Sequence, residues 1–291
     1  MAKKKPKTSR KKGFSFRNLL SIILGIIAIG LLFYPIVVNY LAGQQNIKSV
    51  QKYDENLSNI GSAKVKELLS QAQLYNAQLY NEYIYDASQH IAWNKPIPNY
   101  NNVLKIDSTG MMGFITIPQI KVNDIPIYHG DSEKILGLGV GHVPQSSLPI
   151  GGINSHAVLP AHSGRVNDTL FTNLDKLKNG DIFYLHVLNL TLKYKINDIR
   201  IVAPNQVSSL SIEKGRDLVT LVTCYPTGIN NKRLLVTGER TALSKVTPQE
   251  DIQRNQFGYN FWVMFGSAFL MFLGLVYLLW LLFGRKRNLY H

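Results

Sequence analysis

Two runs of the chain carry no charged residue, residues 19–42 and residues 261–283, 24 and 23 residues long. At about 1.5 Å rise per residue, each reaches roughly 35 Å as a helix, enough to cross a hydrocarbon core of about 30 Å. Both are expected to be transmembrane helices; Pro35 sits near the end of the first, where a kink is tolerated. Residues 44–88 have a different texture. Apolar residues recur at Ile47, Val50, Leu57 and Ile60, then at Val65, Leu68, Ala72, Tyr75 and Leu79, a three- and four-residue spacing that predicts helix. Gly61-Ser62 interrupts it, so two helices are expected.

Periodicity is lost over residues 86–110, where Asn94, Pro96, Pro98, Asn99, Asn101 and Asn102 accumulate. A loop of that length in a compact domain is commonly a functional lid or a linker, and the residues alone favour neither. Trp93 is the candidate plug if it is a lid. From 111 to about 243 the pattern becomes short alternating strands, at 113–117, 125–129, 156–161, 181–187, 191–202, 218–224 and 234–240. Gly151-Gly152, Asn179-Gly180, Pro204-Asn205 and Pro226-Thr227-Gly228 punctuate them, and residues 168–177 have room for a short helix. Seven or eight strands at this spacing predict a mainly β domain, a closed barrel or sandwich.

The expected organisation is a basic tail (1–18), a transmembrane helix (19–42), helices with the lid-length loop (43–110), the β domain (111–243), a linker (244–260), a second transmembrane helix (261–283) and a basic tail (284–291). Charge supports this layout. The formal net charge of +14 suggests a nucleic-acid binder until it is mapped. Eight Lys/Arg lie in residues 1–18 and three more at Arg285, Lys286 and Arg287, which leaves 21 basic against 18 acidic residues between the spans. The excess therefore flanks the membrane segments, and the positive-inside rule puts both termini in the cytoplasm and residues 43–260 outside. Nucleic-acid binding loses its main support. A cleaved signal peptide is the alternative for the first run, but Tyr40 would occupy the −3 position of a site ending at Ala42.

Cys224 is the single cysteine, so it cannot close an internal disulfide; it is an inert thiol, an intermolecular partner or a nucleophile. It ends the apolar run Leu218–Thr223. An eight-residue connection with Pro226 and Gly228 follows, and Arg233 opens the next run. If the two runs pair as a hairpin, Cys224 faces Arg233 across its mouth. A guanidinium beside a thiol favours the thiolate and can donate to an oxyanion as a thioester forms. Of the six histidines upstream, His162 is best placed as acid or base. It ends the strand Ala157-Val-Leu-Pro160 and precedes the turn Ser163-Gly164-Arg165. His156, about 20 Å earlier along that strand, is too far to serve the same thiol; His90, His129, His142 and His186 have no comparable setting.

Thr220-Leu-Val-Thr-Cys224, with Pro226, Asn230 and Arg233-Leu-Leu-Val-Thr-Gly-Glu-Arg240, resembles the signature and arginine strand of the sortase family. Leu159-Pro-Ala-His162-Ser-Gly, leading to Leu170-Phe-Thr-Asn-Leu-Asp-Lys-Leu177, resembles the family's histidine strand. Met112-Gly-Phe-Ile-Thr-Ile-Pro118, Gly139-Val-Gly-His142 and Ser147-Leu-Pro-Ile-Gly-Gly152 are similar to segments of its pilin-polymerising branch, class C. The likeness covers roughly residues 100–243. It implies a closed, seven- to eight-stranded sortase β-barrel, catalysis by Cys224, His162 and Arg233, and no cofactor or metal. The implied partners are the membrane and pilin or surface-protein substrates with a C-terminal sorting signal.

The implied reaction is thioester formation at the Thr-Gly bond of a Leu-Pro-x-Thr-Gly-like signal, followed by attack of a pilin lysine. The usual Asp-Pro-aromatic lid motif is missing, Trp93-Asn94-Lys95-Pro96 being the nearest cluster, and Ser163-Gly164 stands where the branch usually has arginine-glycine. Three other readings compete with this one. A wall-anchored adhesin would need a sorting motif before residue 261, and none is there. A cysteine hydrolase more often places cysteine before histidine in the chain. A housekeeping sortase, transferring surface proteins to a peptidoglycan precursor, remains the closer alternative.

Overall fold

The computed structural model describes residues 16–85, 99–164, 170–206 and 208–243, with residues 266, 269–270 and 272–274. Trp93, Arg165, residues 86–98 of the lid-length loop, the linker 244–260 and most of the second apolar run lie outside the described residues. The chain divides into two compact units, residues 1–38 with 261–291, and residues 39–260. Among the described residues no single helix is long and apolar enough to cross a membrane. Ile23–Leu31 and Phe33–Asn59, bent by 42°, are so only when taken together.

Helix α1 (Phe16–Asn59) contains Pro35, and α2 (Gly61–Tyr85) begins at the predicted break. Gly61 has φ +72°, a backbone conformation that costs glycine little and turns the chain between the helices. The three- and four-residue spacing of α2 buries Val65, Leu68, Ala72, Tyr75 and Leu79. Asn76 fixes this helix at two points, donating to Leu148 O at 3.2 Å and accepting from Leu148 N–H at 2.7 Å. On α1, the Tyr53 hydroxyl donates to Met112 O (2.8 Å) and accepts from Leu188 N–H (2.9 Å).

Residues 99–110, the end of the lid-length loop, are packed structure. A 3-10 turn at Tyr100–Asn102 buries Tyr100, and Val103 and Leu104 follow it into the cluster beneath α2. His129 anchors the segment: one ring nitrogen lies 2.9 Å from Gly110 O and the other 2.8 Å from Val103 O.

The β domain holds β1 (Met111–Ile117), β2 (Val122–Tyr128), β3 (Ser155–Pro160), β4 (Ile182–Val187), β5 (Leu190–Val202), β6 (Asp217–Tyr225) and β7 (Lys232–Thr241), with a short α3 (Glu133–Leu136) between β2 and β3. The seven predicted strands are thus present. The 168–177 region forms turns and a 3-10 turn, Leu174–Lys176, rather than an α-helix over its described part. One sheet runs β2-β1-β4-β5-β7-β6-β3, antiparallel except for the parallel β3–β6 pair. All of β1 is buried, because its inner residues Ile115 and Ile117 enter the barrel core while Met112 and Phe114 face the helix clusters.

The sheet curls into a half-barrel and its strands do not close it, contrary to the expected closed barrel; β2 and β3 are its edges. An irregular segment, residues 140–147, spans the gap. Tyr128 N–H donates to Val140 O and Val140 N–H to Pro126 O, each at 2.9 Å, on the β2 side. On the β3 side Gly141 N–H donates to Pro160 O (2.8 Å) and Val143 N–H to Val158 O (3.0 Å). Exposed edge donors and acceptors are thereby satisfied without a ladder. Glycine is required at the seam: a Cβ on Gly139 would stand 2.6 Å from Pro126 O, and one on Gly141 2.6 Å from Gly130 O.

Candidate active site

The strand register brings the three candidate residues level. β6 and β7 pair antiparallel with Cys224 opposite Arg233, and β3 runs parallel to β6 with Pro160 opposite Val222. His162 is two residues beyond Pro160, and Cys224 two beyond Val222. The alignment continues past the ladder, since Ala161 N–H donates to Val222 O at 3.0 Å and Thr223 Oγ1 to Ala161 O at 2.8 Å. Neighbouring strands lie about 4.8 Å apart, so β3, β6 and β7 carry His162, Cys224 and Arg233 side by side.

Period-two alternation decides the face. Val219, Leu221, Leu234 and Val236 enter the barrel core, so Cys224 and Arg233 belong to the opposite face. Cys224 is a free thiol of intermediate exposure, one rung from the turn that joins β6 to β7.

Local hydrogen bonds hold the two backbones that carry thiol and imidazole. Ser163 Oγ donates to Cys224 O at 2.7 Å, and Phe171 N–H donates to His162 O at 3.1 Å. Gly164, at φ +72°, lets the turn after His162 pass the connection after Cys224; a Cβ there would meet Thr227 Cγ2 at 2.6 Å. The Arg233 guanidinium is occupied within its own turn, where Nη1 donates to Asn230 O (3.2 Å) and Lys232 O (3.0 Å). Glu133, which sequence reasoning did not single out, places Oε2 3.3 Å from His162 Nε2. It lies 29 residues before the histidine with no spacing signal to link them.

The other histidines have partners remote from the thiol. His156 is buried, with Nδ1 2.8 Å from Ser211 O and Nε2 2.7 Å from Thr220 Oγ1, which bonds Thr237 Oγ1. Burial lowers its pKa and favours the neutral ring. His142 is fully buried between Tyr100 and Ser147, and desolvation lowers its pKa to about 4. His129 is the anchor of residues 99–110 described above.

Residues 115–241 match the Sortase domain family. The structure resembles Clostridium perfringens sortase C solved with the C-terminal cell wall sorting motif, at 42% identity and TM-score 0.59, covering 68% of this chain and 100% of that one. The chain belongs to the sortase family. Streptococcus pneumoniae sortase C is similar too, at 38% identity and TM-score 0.59, covering 67% of this chain and 97% of that one. Sortase A of Bacillus anthracis is 28% identical over 134 residues, 46% of this chain and 61% of that protein, so under two thirds of that relative's length is spanned. A sortase is a transpeptidase, and within the sortase fold the level trio sits at the C-terminal ends of β3 and β6 and the start of β7.

Proposed function

We propose that this sortase is a membrane-anchored class C enzyme that polymerises pilins through a Cys224 thioester. The observation that carries the reading is the register that sets His162, Cys224 and Arg233 abreast on neighbouring strands. The Cys224 thiolate attacks the threonine carbonyl of a Leu-Pro-x-Thr-Gly-like sorting signal. The oxyanion that develops accepts hydrogen bonds from the Arg233 guanidinium, released from its turn carbonyls. Collapse breaks the Thr–Gly C–N bond as His162 protonates the departing glycine amine. A lysine amine of another pilin then attacks the thioester carbon, His162 takes its proton, and the C–S bond breaks.

Class C is supported by the likeness to the two sortase C structures, one solved with the C-terminal cell wall sorting motif and the other bearing on pilin substrate specificity. Anchoring is supported by the basic flanks of the apolar runs and by exposed apolar side chains such as Leu24, Ile26 and Leu31 on α1. The catalytic domain would face outward with both termini in the cytoplasm. Protease added to wall-stripped cells should then cut residues 43–260 and spare tags at either end; loss of a tag at His291 overturns the topology.

The test of the reaction is competition between two acceptors. Full-length enzyme in detergent, given a sorting-signal peptide with equal amounts of a lysine-bearing pilin fragment and an oligoglycine amine, should form the isopeptide product. The likeness to a sortase A favours wall anchoring as the second reading. Exclusive transfer to oligoglycine would favour that alternative, and an absence of any transfer or cleavage would sink both.

A further inference from the structure

Glu133 opens α3, and its side chain is 87% exposed, yet its Oε2 reaches 3.3 Å from Nε2 of His162, whose side chain is 20% exposed. That nitrogen is buried, and no described residue completes a well-aligned hydrogen bond to it. The carboxylate is the acceptor that comes within ion-pair reach.

The approach is built into the fold. Ser132 caps α3, its Oγ accepting from Ile135 N–H at 3.4 Å, and Gly137 N–H donates to Glu133 O at 3.0 Å. Two residues before the cap, Gly130 O accepts from His142 N–H at 2.9 Å, on the segment that seals β2 to β3. Gly141 in that segment bonds Pro160, the last residue of β3 before the histidine turn. The seam that closes the sheet therefore fixes α3 beside the end of β3 and brings Glu133 to His162.

We infer that Glu133 is a positioning residue for proton transfer at His162. This rests on the reading of His162 as acid and base in the proposed reaction. A negative charge 3.3 Å from Nε2 favours the tautomer with its hydrogen on that nitrogen, so Nε2 keeps its hydrogen in both states of the ring. The exchanging proton is then the one on Nδ1. Nδ1–H protonates the departing glycine amine, and the bare Nδ1 takes one proton from the incoming lysine amine, returning the ring to its starting state. An ion pair this exposed contributes little to stability, so its effect belongs in turnover.

The experiment compares Glu133→Ala, Glu133→Asp and His162→Ala in the full-length enzyme, with a sorting-signal peptide and a lysine acceptor. Glu133→Ala should lower kcat by roughly three- to tenfold, leave KM within about twofold and leave the melting temperature unchanged. Glu133→Asp, which retains a carboxylate, should recover most of the loss. Wild-type kcat in Glu133→Ala, a loss confined to KM, or no rescue by Asp overturns the inference. If His162→Ala is inactive while Glu133→Ala is normal, this inference alone fails. If His162→Ala turns over normally, the underlying assignment of His162 fails and the inference falls with it.

Discussion

Cys224 and Arg233 are partners at the turn end of the β6–β7 hairpin, and the Arg233 Nη1 donates to Asn230 O and Lys232 O in the connecting turn. Backbone pairing thus sets the two residues opposite one another, while the turn engages Nη1. In the proposed reaction the oxyanion at Cys224 would recruit the guanidinium from that turn. Arg233→Lys keeps the charge and loses the planar fork, so turnover should fall roughly a hundredfold with the fold intact. Steady-state kinetics check this; a lysine variant within a few-fold of wild type would show that charge alone suffices.

His156 and His162 lie near opposite ends of one strand and should separate stability from chemistry. His156→Ala removes the bonds to Ser211 O and Thr220 Oγ1. It should cost about 1–3 kcal/mol of stability and leave kcat per folded molecule largely intact. His162→Ala should do the reverse, because both half-reactions of the proposed mechanism pass a proton through it. Thermal melts and active-site-normalised turnover distinguish them, and the opposite pattern would refute the assignment.

Burial of His142 should make the fold acid-sensitive. Its folded pKa is lowered by burial to about 4, against an ordinary value near 6.5. Between these values the unfolded chain binds more protons, so this contribution is fully present above pH 6.5 and is lost as pH falls towards and through 4. The cost is at most about 1.4 kcal/mol per pH unit for one such group. His129 and His156 are lowered too and act in the same direction. The melting temperature should fall between pH 6.5 and 4.5, less steeply in His142→Gln than in wild type. Parallel curves would contradict this.

The seam over residues 140–147 predicts a further effect. Gly141→Ala places a Cβ 2.6 Å from Gly130 O, a backbone atom that cannot rotate away. Displacing it should destabilise the domain by about 1–3 kcal/mol and loosen both the β2 and β3 edges. Faster amide exchange at Val140 and Val143 than in wild type is the expected signature; unchanged exchange and melting would exclude the seam as a structural element.

The strands were legible because alternation and turn residues are local signals, and all seven follow from them. The Cys224–Arg233 rung was legible for the same reason, since a hairpin fixes its own register. Closure of the sheet was not, because residues 140–147 carry no periodicity and act through bonds to Pro126, Val158 and Pro160, far away in sequence. Residues 99–110 read as loop because a three-residue 3-10 turn is too short to show a period, although Tyr100, Val103 and Leu104 are buried. The Glu133–His162 contact depends on that same seam and has no local trace. His162 itself was chosen for its strand end, and the parallel β3–β6 register explains why that end is the relevant one.

The most direct test of the account is the mass of the enzyme during turnover. Cys224 is the single thiol of the chain, so any thioester has one address. Full-length protein quenched in acid after mixing with a sorting-signal peptide should gain the mass of the acyl fragment ending at threonine. Neutral hydroxylamine should remove it, peptide mapping should place it on Cys224, and Cys224→Ala should show none. An acyl adduct that persists in Cys224→Ala, or transpeptidation by that variant, would contradict the central claim.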